Sequence, residues 1–385
     1  MNKNKENKIP ILSFYSGGGF MDMGFEKAGF EIVWTNEFDQ TFSKLHAAGI
    51  TSWRKSKGNG IKAEIFNTKS ITDISSKKIV AEAFPEGKPQ HFGVIGGPPC
   101  QDFSMNGSLK GFEGDRGKLT IVFFDKILEL KPTFFVMENV TGLTKRKETK
   151  EFLQTLLKGI EKEYFVDQEK LNSLDFGVPQ HRERVFFVGI RKEFLDEKVV
   201  DESAFGRWFP FPVNKKYINA ATKYNWGKQN DFGQIPTKPK DLPIELCVES
   251  CLVPKQKVNK VPNADEFFNL YVTDSFLQSI KEGETNRQSF KRLHRFRYSP
   301  TTCYGNNEVH LHPYEHRRLS VREALRIQGV PDEYVLPKEL PKTKKFKMIG
   351  NGVPVPLAEA VANAVKEFII DNKIIQTTKT NGYLV

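Results

Sequence analysis

The chain has 385 residues, 38% hydrophobic and 27% charged, an ordinary globular balance with length enough for one large domain and a smaller one. No apolar run approaches the roughly 20 residues needed to span a bilayer, and the opening MNKNKENK lacks a signal peptide's apolar core, so a cytoplasmic protein with a short solvated tail is expected. Lys and Arg outnumber Asp and Glu by 58 to 47, a net +11, which inclines the chain toward a polyanionic partner such as nucleic acid.

Taken in chain order, short apolar runs alternate with helix-like segments over the first 190 residues, the rhythm of an α/β sheet. Strands are predicted at 11–14, 32–35, 92–95, 133–137 and 185–190. Amphipathic helices are predicted at 20–28, 41–48, 119–130 and 148–160. The strands are apolar almost throughout, as in a sheet covered on both faces. From about 201 to 310 the sequence turns rich in Pro, Asn, Lys and aromatics without a clear period, and Trp208-Phe209-Pro210-Phe211-Pro212 reads as a linker or irregular edge. Helical signal returns near Arg318. Ser320 is expected to cap a helix over 321–328, with Glu323 completing a capping box. A last helix is predicted over 355–370, after a turn at Gly350-Asn351-Gly352. The domain plan is therefore 1–200, a smaller unit at 201–310, and a return to the first at 311–385.

Two segments carry chemistry. In the first, the strand Ile11-Leu12-Ser13-Phe14 runs through Tyr15-Ser16 into Gly17-Gly18-Gly19 and then a helix. Glycine lets backbone approach a ligand closely and adopt positive φ. About twenty residues on, a second strand ends at Asn36-Glu37-Phe38, where a carboxylate can accept ribose hydroxyls and a ring can stack on adenine. Asp73-Ile74 could similarly hold an adenine amino group. A plain loop with a chance acid fits the same residues, and the absence of GxGxxG argues against a dinucleotide. In the second segment, Gly96-Gly97-Pro98-Pro99-Cys100-Gln101-Asp102-Phe103-Ser104 follows an apolar strand. Cys100 thus falls just past a strand's carboxyl end, where α/β proteins keep their active sites. Paired prolines stiffen the loop that carries the thiol. A stray cysteine is usually a small buried hydrophobe, but this frame is an odd setting for simple packing. The polar 104–117 stretch that follows contains four glycines and reads as a loop able to close over a substrate.

With these motifs quoted, the chain resembles the cytosine-5 DNA methyltransferases, in order along its length. Pro98-Pro99-Cys100-Gln101 is similar to the nucleophile motif, Glu138-Asn139-Val140 to the ENV motif, and Gln180-His181-Arg182-Glu183-Arg184 to QxRxR. Arg318-Leu319-Ser320-Val321-Arg322-Glu323 with Gln328-Gly329, and then Gly350-Asn351-Gly352-Val353, are similar to the motifs after the target-recognition region. Ser16 stands where the family usually has glycine, and Thr72-Asp73 where it usually has Gly-Asp. The resemblance implies a Rossmann-like S-adenosylmethionine-dependent methyltransferase fold with a smaller target-recognition domain. It also implies Cys100 as nucleophile and Glu138, Arg182 and Arg184 as its catalytic partners. The methyl donor would then lie among Phe14, Ser16, Gly17, Gly18, Gly19, Glu37, Phe38, Asp73, Ile74, Pro98, Asn351 and Val353, with the last helix flanking the glycine turn.

Such chemistry needs these residue types. A thiolate adding at cytosine carbon 6 makes carbon 5 nucleophilic, splitting one hard step into easier ones. Addition is favoured when ring nitrogen 3 is protonated, and a desolvated glutamate at a strand end keeps a proton near neutral pH. The base must also leave the duplex stack. Gln101, Ser104 and Asn106 are accordingly expected to meet DNA as their loop closes, and Lys291, Arg292, Arg295 and Arg297 to contact bases or phosphates from the middle region.

The expected partner is double-stranded DNA, with no membrane. One domain pair closing on one base implies a monomer, and a compact chain of this kind leaves room for a cognate restriction endonuclease acting on the same site. Two other readings stand beside this one, the same chemistry on transfer RNA and a catalytically silent DNA-binding scaffold. Cys100, Cys247, Cys251 and Cys303 are too few for a disulfide framework and read as reduced thiols. Cys247 and Cys251 lack histidines at zinc-finger spacing, so no metal is expected.

Overall fold

The computed structural model describes residues 8–58, 64–99, 117–145, 147–201, 207–304 and 308–375. Seven strands form one sheet in the order β3-β2-β1-β4-β5-β7-β6. They are β1 (Pro10–Phe14), β2 (Glu31–Asn36), β3 (Ile65–Asn67), β4 (Gly93–Gly96), β5 (Phe134–Val140), β6 (Tyr164–Asn172) and β7 (Glu183–Arg191). The first five run parallel, and β7 lies antiparallel between β5 and β6. All five predicted strands are present, and they are the five interior ones. The two unpredicted strands, β3 and β6, are the sheet's edges.

Register explains where a site can form. One row across the sheet reads Asn36, Phe14, Gly96, Met137. The residues after these strand positions, from Glu37, Tyr15, Gly97 and Glu138 onward, therefore emerge side by side at one edge. The strand order reverses between β1 and β4, and a crevice outside such a switch point is where open α/β sheets bind ligands.

Helices cover both faces. On one, α1 (Phe20–Lys27) packs so closely on the helix Val355–Asp371 that a Cβ at Gly24 would lie 2.6 Å from that of Ala358. Trp208 and Phe209 are buried in the same layer, their rings 5.5 and 5.4 Å from Phe368. The expected linker is thus part of the core. On the other face, α3 (Ser76–Ala83), α4 (Gly117–Leu130) and the helix Lys147–Ile160 bury Ile79, Phe123, Phe124, Ile127 and Leu153. A third core joins α2 (Gln40–Ser56) to the helices Val321–Ile327 and Lys342–Asn351, and takes in Val248, Cys251, Leu252 and Leu293. The middle region therefore shares its interior with the rest of the chain. Between 207 and 304 the described residues form short helices, turns and isolated β-bridges such as that between Asn230 and Glu282, with no strand among them.

The expected capping box at Ser320 and Glu323 is present. Two local expectations are corrected. Gly350 and Asn351 end a helix, with Gly352 as its cap, rather than forming a free turn. α2 runs on to Ser56, well past the predicted 48, because Leu45, Ile50 and Trp53 continue its buried face. Among the described residues no helix is long and apolar enough to cross a membrane.

Candidate active site

Glu138 lies within β5 rather than just after it. The antiparallel ladder with β7 pairs Glu138 with Phe186 and Val140 with Arg184, which carries the strand on to Val140. Arg184 is the diagonal neighbour on the same face, and its Nε lies 2.8 Å from Glu138 Oε1. Burial pushes the Glu138 carboxyl above the usual glutamate range, while Arg184 and then Arg182 oppose the rise. Gly97 backs the other carboxylate oxygen: a Cβ there would sit 3.0 Å from Oε2. Asn139 ties the two strand ends together, its Nδ2 donating to Pro98 O at 3.3 Å and its Oδ1 accepting from Val140 N at 2.8 Å. The loop that leads into Cys100 is thereby moored beside the Glu138 carboxylate. Cys100, Gln101, Ser104 and Asn106 lie outside the described residues.

Arg182 plays a different part from Arg184. It is fully buried, donating from Nη1 to Thr302 O (3.1 Å) and from Nη2 to Gly350 O (2.8 Å), while Nε finds no partner among the described residues. Burial, reinforced by Arg184, pushes its guanidinium down to about 9, so it remains charged at neutral pH. The i, i+2 spacing does put both arginines in the field of Glu138, but the recorded ion pair is with Arg184. Gln180 extends the junction: Oε1 accepts from Thr302 N at 3.1 Å, and Nε2 donates to Gln328 Oε1 at 3.2 Å. Segments near 180, 302, 328 and 350 thus meet through buried side chains. In the sequence Gln180 and Gln328 stand only as letters of their motifs. That both are fully buried and bonded to each other is visible only in the fold.

At the other end of the row, Glu37 clasps the glycine turn. Its Oε2 accepts from Gly17 N at 2.9 Å and its Oε1 from Asp39 N at 2.8 Å. Gly17 and Gly19 have φ of +55° and +73°, and Tyr15, which has a side chain, also takes a positive φ of 54°. The Ser16 hydroxyl is buried without a hydrogen-bond partner among the described residues. Phe38 is 69% exposed, a rare setting for a phenylalanine. A strained turn, an orphaned hydroxyl and a bare ring fit a nucleoside with a polar tail laid over this edge. Gly18 is held from behind, Tyr334 donating from its hydroxyl to Gly18 O at 2.8 Å while the Met348 side chain lies where a Cβ would be. Asp73 is exposed at the end of a single 3-10 turn, and Ile74 is buried in the core. Asn351 is exposed and Val353 buried, and the last helix lies against α1, which begins directly after the glycine turn.

The four basic residues expected at DNA divide. Arg292 is corrected: it is fully buried, gives hydrogen bonds to the carbonyls of Ile280, Leu277, His312 and Glu315, and stacks 4.3 Å from the Phe232 ring. Its charge is spent on closing backbone turns and cannot reach a base. Arg295 is committed to Glu282 through Nε and Nη2, both at 2.9 Å. Lys291 and Arg297 are half-buried, with no side-chain ion pair recorded among the described residues. Cys247 and Cys251 are buried, and burial pushes both thiols up to about 12, as for inert core cysteines.

Comparison with known proteins gives a consistent result. The family model described as C-5 cytosine-specific DNA methylase matches residues 9–367. Type II methyltransferase M.NmeDI of Neisseria meningitidis serogroup C is 35% identical over 387 residues, 99% of this chain and 88% of that protein. Type II methyltransferase M.NgoPII of Neisseria gonorrhoeae is 33% identical over 379 residues, 94% and 96% of the two chains. Among solved structures, a DNA modification methyltransferase encoded within an E. coli prophage superposes with a TM-score of 0.63 at 23% identity, over 94% of this chain and 99% of that one. The S. pombe Dnmt2 methyltransferase gives 0.58 at 14%, over 94% and 98%. These two likenesses speak for the fold.

Proposed function

The chain belongs to the C-5 cytosine-specific DNA methylase family, and from that premise we propose how its residues carry out the reaction. It is a DNA (cytosine-5)-methyltransferase of the Type II restriction–modification kind. The observation that carries the assignment of roles is the buried Glu138–Arg184 pair, set beside the Gly97-Pro98 end of the loop that bears Cys100.

The target cytosine leaves the duplex and enters the space in front of Glu138. The Cys100 thiolate forms a bond to carbon 6. Electrons of the 5,6 double bond move toward the ring, and Glu138 delivers its proton to nitrogen 3. Arg184 fixes the Glu138 carboxyl so that its free oxygen faces the base, and Arg182 braces the adjoining segment. Carbon 5 then takes the methyl group, the proton on carbon 5 departs to a base, the 5,6 double bond re-forms as the sulfur is expelled as thiolate, and nitrogen 3 returns its proton to Glu138. The net change is one methyl for one proton.

S-adenosylmethionine, when bound, supplies a methyl group made electrophilic by its sulfonium sulfur. The residues fitted to hold it are Phe14 and Ser16 to Gly19 at the turn, Glu37 and Phe38 after β2, Asp73 and Ile74, Pro98, and Asn351 and Val353. Lys291 and Arg297 contact phosphates from the middle region, which reads the sequence. The enzyme acts as a cytoplasmic monomer on double-stranded DNA, protecting sites that a cognate endonuclease would cut.

The test is covalent capture. A duplex carrying 5-fluorocytosine at the target position, incubated with enzyme and methyl donor, should become cross-linked to Cys100 and not to a Cys100→Ser variant. Methyl transfer into RNA but not DNA, or DNA binding with neither transfer nor capture, would overturn this reading.

A further inference from the structure

Behind the glycine turn lies a buried cluster of ionisable groups that the reaction does not use. Asp22 in α1 and His46 in α2 are both essentially inaccessible. Asp22 Oδ1 accepts from Ser13 Oγ of β1 at 2.6 Å, and its Oδ2 stands 3.7 Å from His46 Nε2. The same nitrogen lies 3.2 Å from Glu64 Oε1, and the other Glu64 oxygen accepts from Arg54 Nη2 at 2.7 Å. Arg54 also bridges to Glu26 of α1, Nε to both carboxylate oxygens at 3.1 Å. Among the described residues Asp22 Oδ2 and His46 Nδ1 find no hydrogen-bond partner.

The imidazole is not merely buried; it is the wall behind Gly19. A Cβ on Gly19 would lie 2.8 Å from His46 Cε1 and 3.0 Å from Nδ1. Gly19 is the left-handed N-cap of α1, and its N–H donates to Ser16 O at 2.8 Å, closing the turn. The far side of the ring meets Phe66, centroids 5.0 Å apart. His46, together with Ile50, thus lies directly against Gly19 and the turn that ends there, with Phe66 on another side of the ring.

We infer that His46, gripped by Asp22 and Glu64, is a positioning residue for the methyl-donor turn, so that donor affinity follows the charge state of this cluster. The inference rests on residues 14–19 and Phe38 being the donor site. Three carboxylates (Asp22, Glu26, Glu64) face His46 and Arg54, with Asp22 and His46 fully buried and the other three partly so, and an ion without its partner is costly in such a setting. The other titratable groups in its field are Glu37, which feels His46, and Tyr334, which feels Asp22. Burial pushes Asp22 up to about 6 against the pull of His46 and Ser13. Burial works against the imidazolium as well, yet Glu64 and Asp22 outweigh it and hold His46 above its ordinary range. At neutral pH Asp22 is ionised and faces a ring whose protonated form Glu64 and Asp22 favour. As the pH falls through about 6, Asp22 takes up a proton and the grip on His46 loosens.

The experiment measures affinity for the demethylated donor, S-adenosylhomocysteine, by calorimetry on the full chain, so that it does not depend on turnover. Wild type should lose about tenfold in affinity between about pH 7 and about pH 5, in line with one proton taken up roughly a unit above the final pH. Asp22→Asn, which keeps the shape and the Ser13 bond, and His46→Gln should bind about fivefold or more weakly at pH 7, with the pH dependence nearly flat. Their DNA affinity should not change. Glu37→Gln should keep the wild-type pH profile at whatever affinity it has.

A flat wild-type profile, variants that retain the wild-type profile, or variants that lose donor and DNA affinity together would each overturn the inference. Should neither variant fold, the wild-type and Glu37→Gln profiles decide it. Phe38→Ala separates the two readings. If it leaves donor affinity unchanged, the donor-site assignment falls; if it weakens donor binding while His46→Gln does not, only the role of His46 falls.

Discussion

Arg184 reaches diagonally across the antiparallel ladder between β5 and β7 to place its Nε 2.8 Å from Glu138 Oε1. The pairing fixes one carboxylate oxygen and leaves the other facing Gly97 and the loop toward Cys100. A proton donor needs both a fixed direction and a raised pKa, and burial beside β7 supplies the second.

The pH dependence of Glu138 has a definite sign. Its folded pKa is raised, so between the ordinary glutamate value and the raised one the folded chain holds a proton that the unfolded chain has lost. Unfolding free energy from this group therefore falls as pH climbs through that window. Glu138→Gln should abolish this contribution, giving a melting temperature less sensitive to pH there than wild type. It should also lower kcat by about 100-fold or more, since an amide can hydrogen-bond nitrogen 3 but cannot deliver a proton. Melting curves and single-turnover rates across the pH range check both.

Arg184→Met removes the cation that opposes the rise in the Glu138 pKa. The alkaline fall in activity should move to higher pH, while the maximum rate drops because the carboxyl is no longer aimed. A limb that stayed in place would show that Glu138 is not the group titrating.

Gly97→Ala sets a methyl group 3.0 Å from Glu138 Oε2 without requiring positive φ. The expected outcome is a loss of about tenfold or more in kcat, since small misplacements of a reacting group carry large rate penalties. Donor and DNA affinities and the melting temperature should stay near wild type.

Arg182→Lys should not rescue the arginine. A single ammonium cannot span the Thr302 and Gly350 carbonyls as the guanidinium fork does. Each buried carbonyl left unpaired costs about 1–3 kcal/mol, which thermal unfolding would show as a clear drop. Activity would fall with it, through disorder of the 302 and 350 segments.

Arg292 and its neighbours should separate cleanly. Arg292→Ala leaves four carbonyls without their donor and should destabilise the fold. Lys291→Ala and Arg297→Ala should leave stability intact, weaken binding to every DNA sequence alike, and each reduce the salt slope of binding by about 1. Denaturation and salt titrations together distinguish the two outcomes.

The interior of this fold was written along the chain. The runs at 11–14, 32–35, 92–95, 133–137 and 185–190 became the five strands with neighbours on both sides, because a strand buried on both faces must be apolar throughout. The frame of the candidate site was partly legible: Gly96-Gly97-Pro98-Pro99 is a local sequence leaving a strand, whereas only the ladder with β7 carries β5 past Glu138 and Asn139 to Val140. The edges were not. β6 carries Asp167, Glu169 and Lys170, and only Tyr164, Asp167 and Leu171 along it are buried, because an edge strand need not be apolar throughout.

Nor could the chain reveal which charges face inward. Arg292 and Arg295 looked like a DNA-reading cluster, Gln180 like a motif letter, and His46 like an ordinary helix residue. Each owes its role to partners distant in sequence: Arg292 to carbonyls on either side of it, Gln180 to Thr302 and Gln328, His46 to Asp22 and Glu64. Charged and polar side chains have no fixed preference for surface or core. What settles it is whether folding brings a complementary group within hydrogen-bonding distance, and only the tertiary structure supplies those distances.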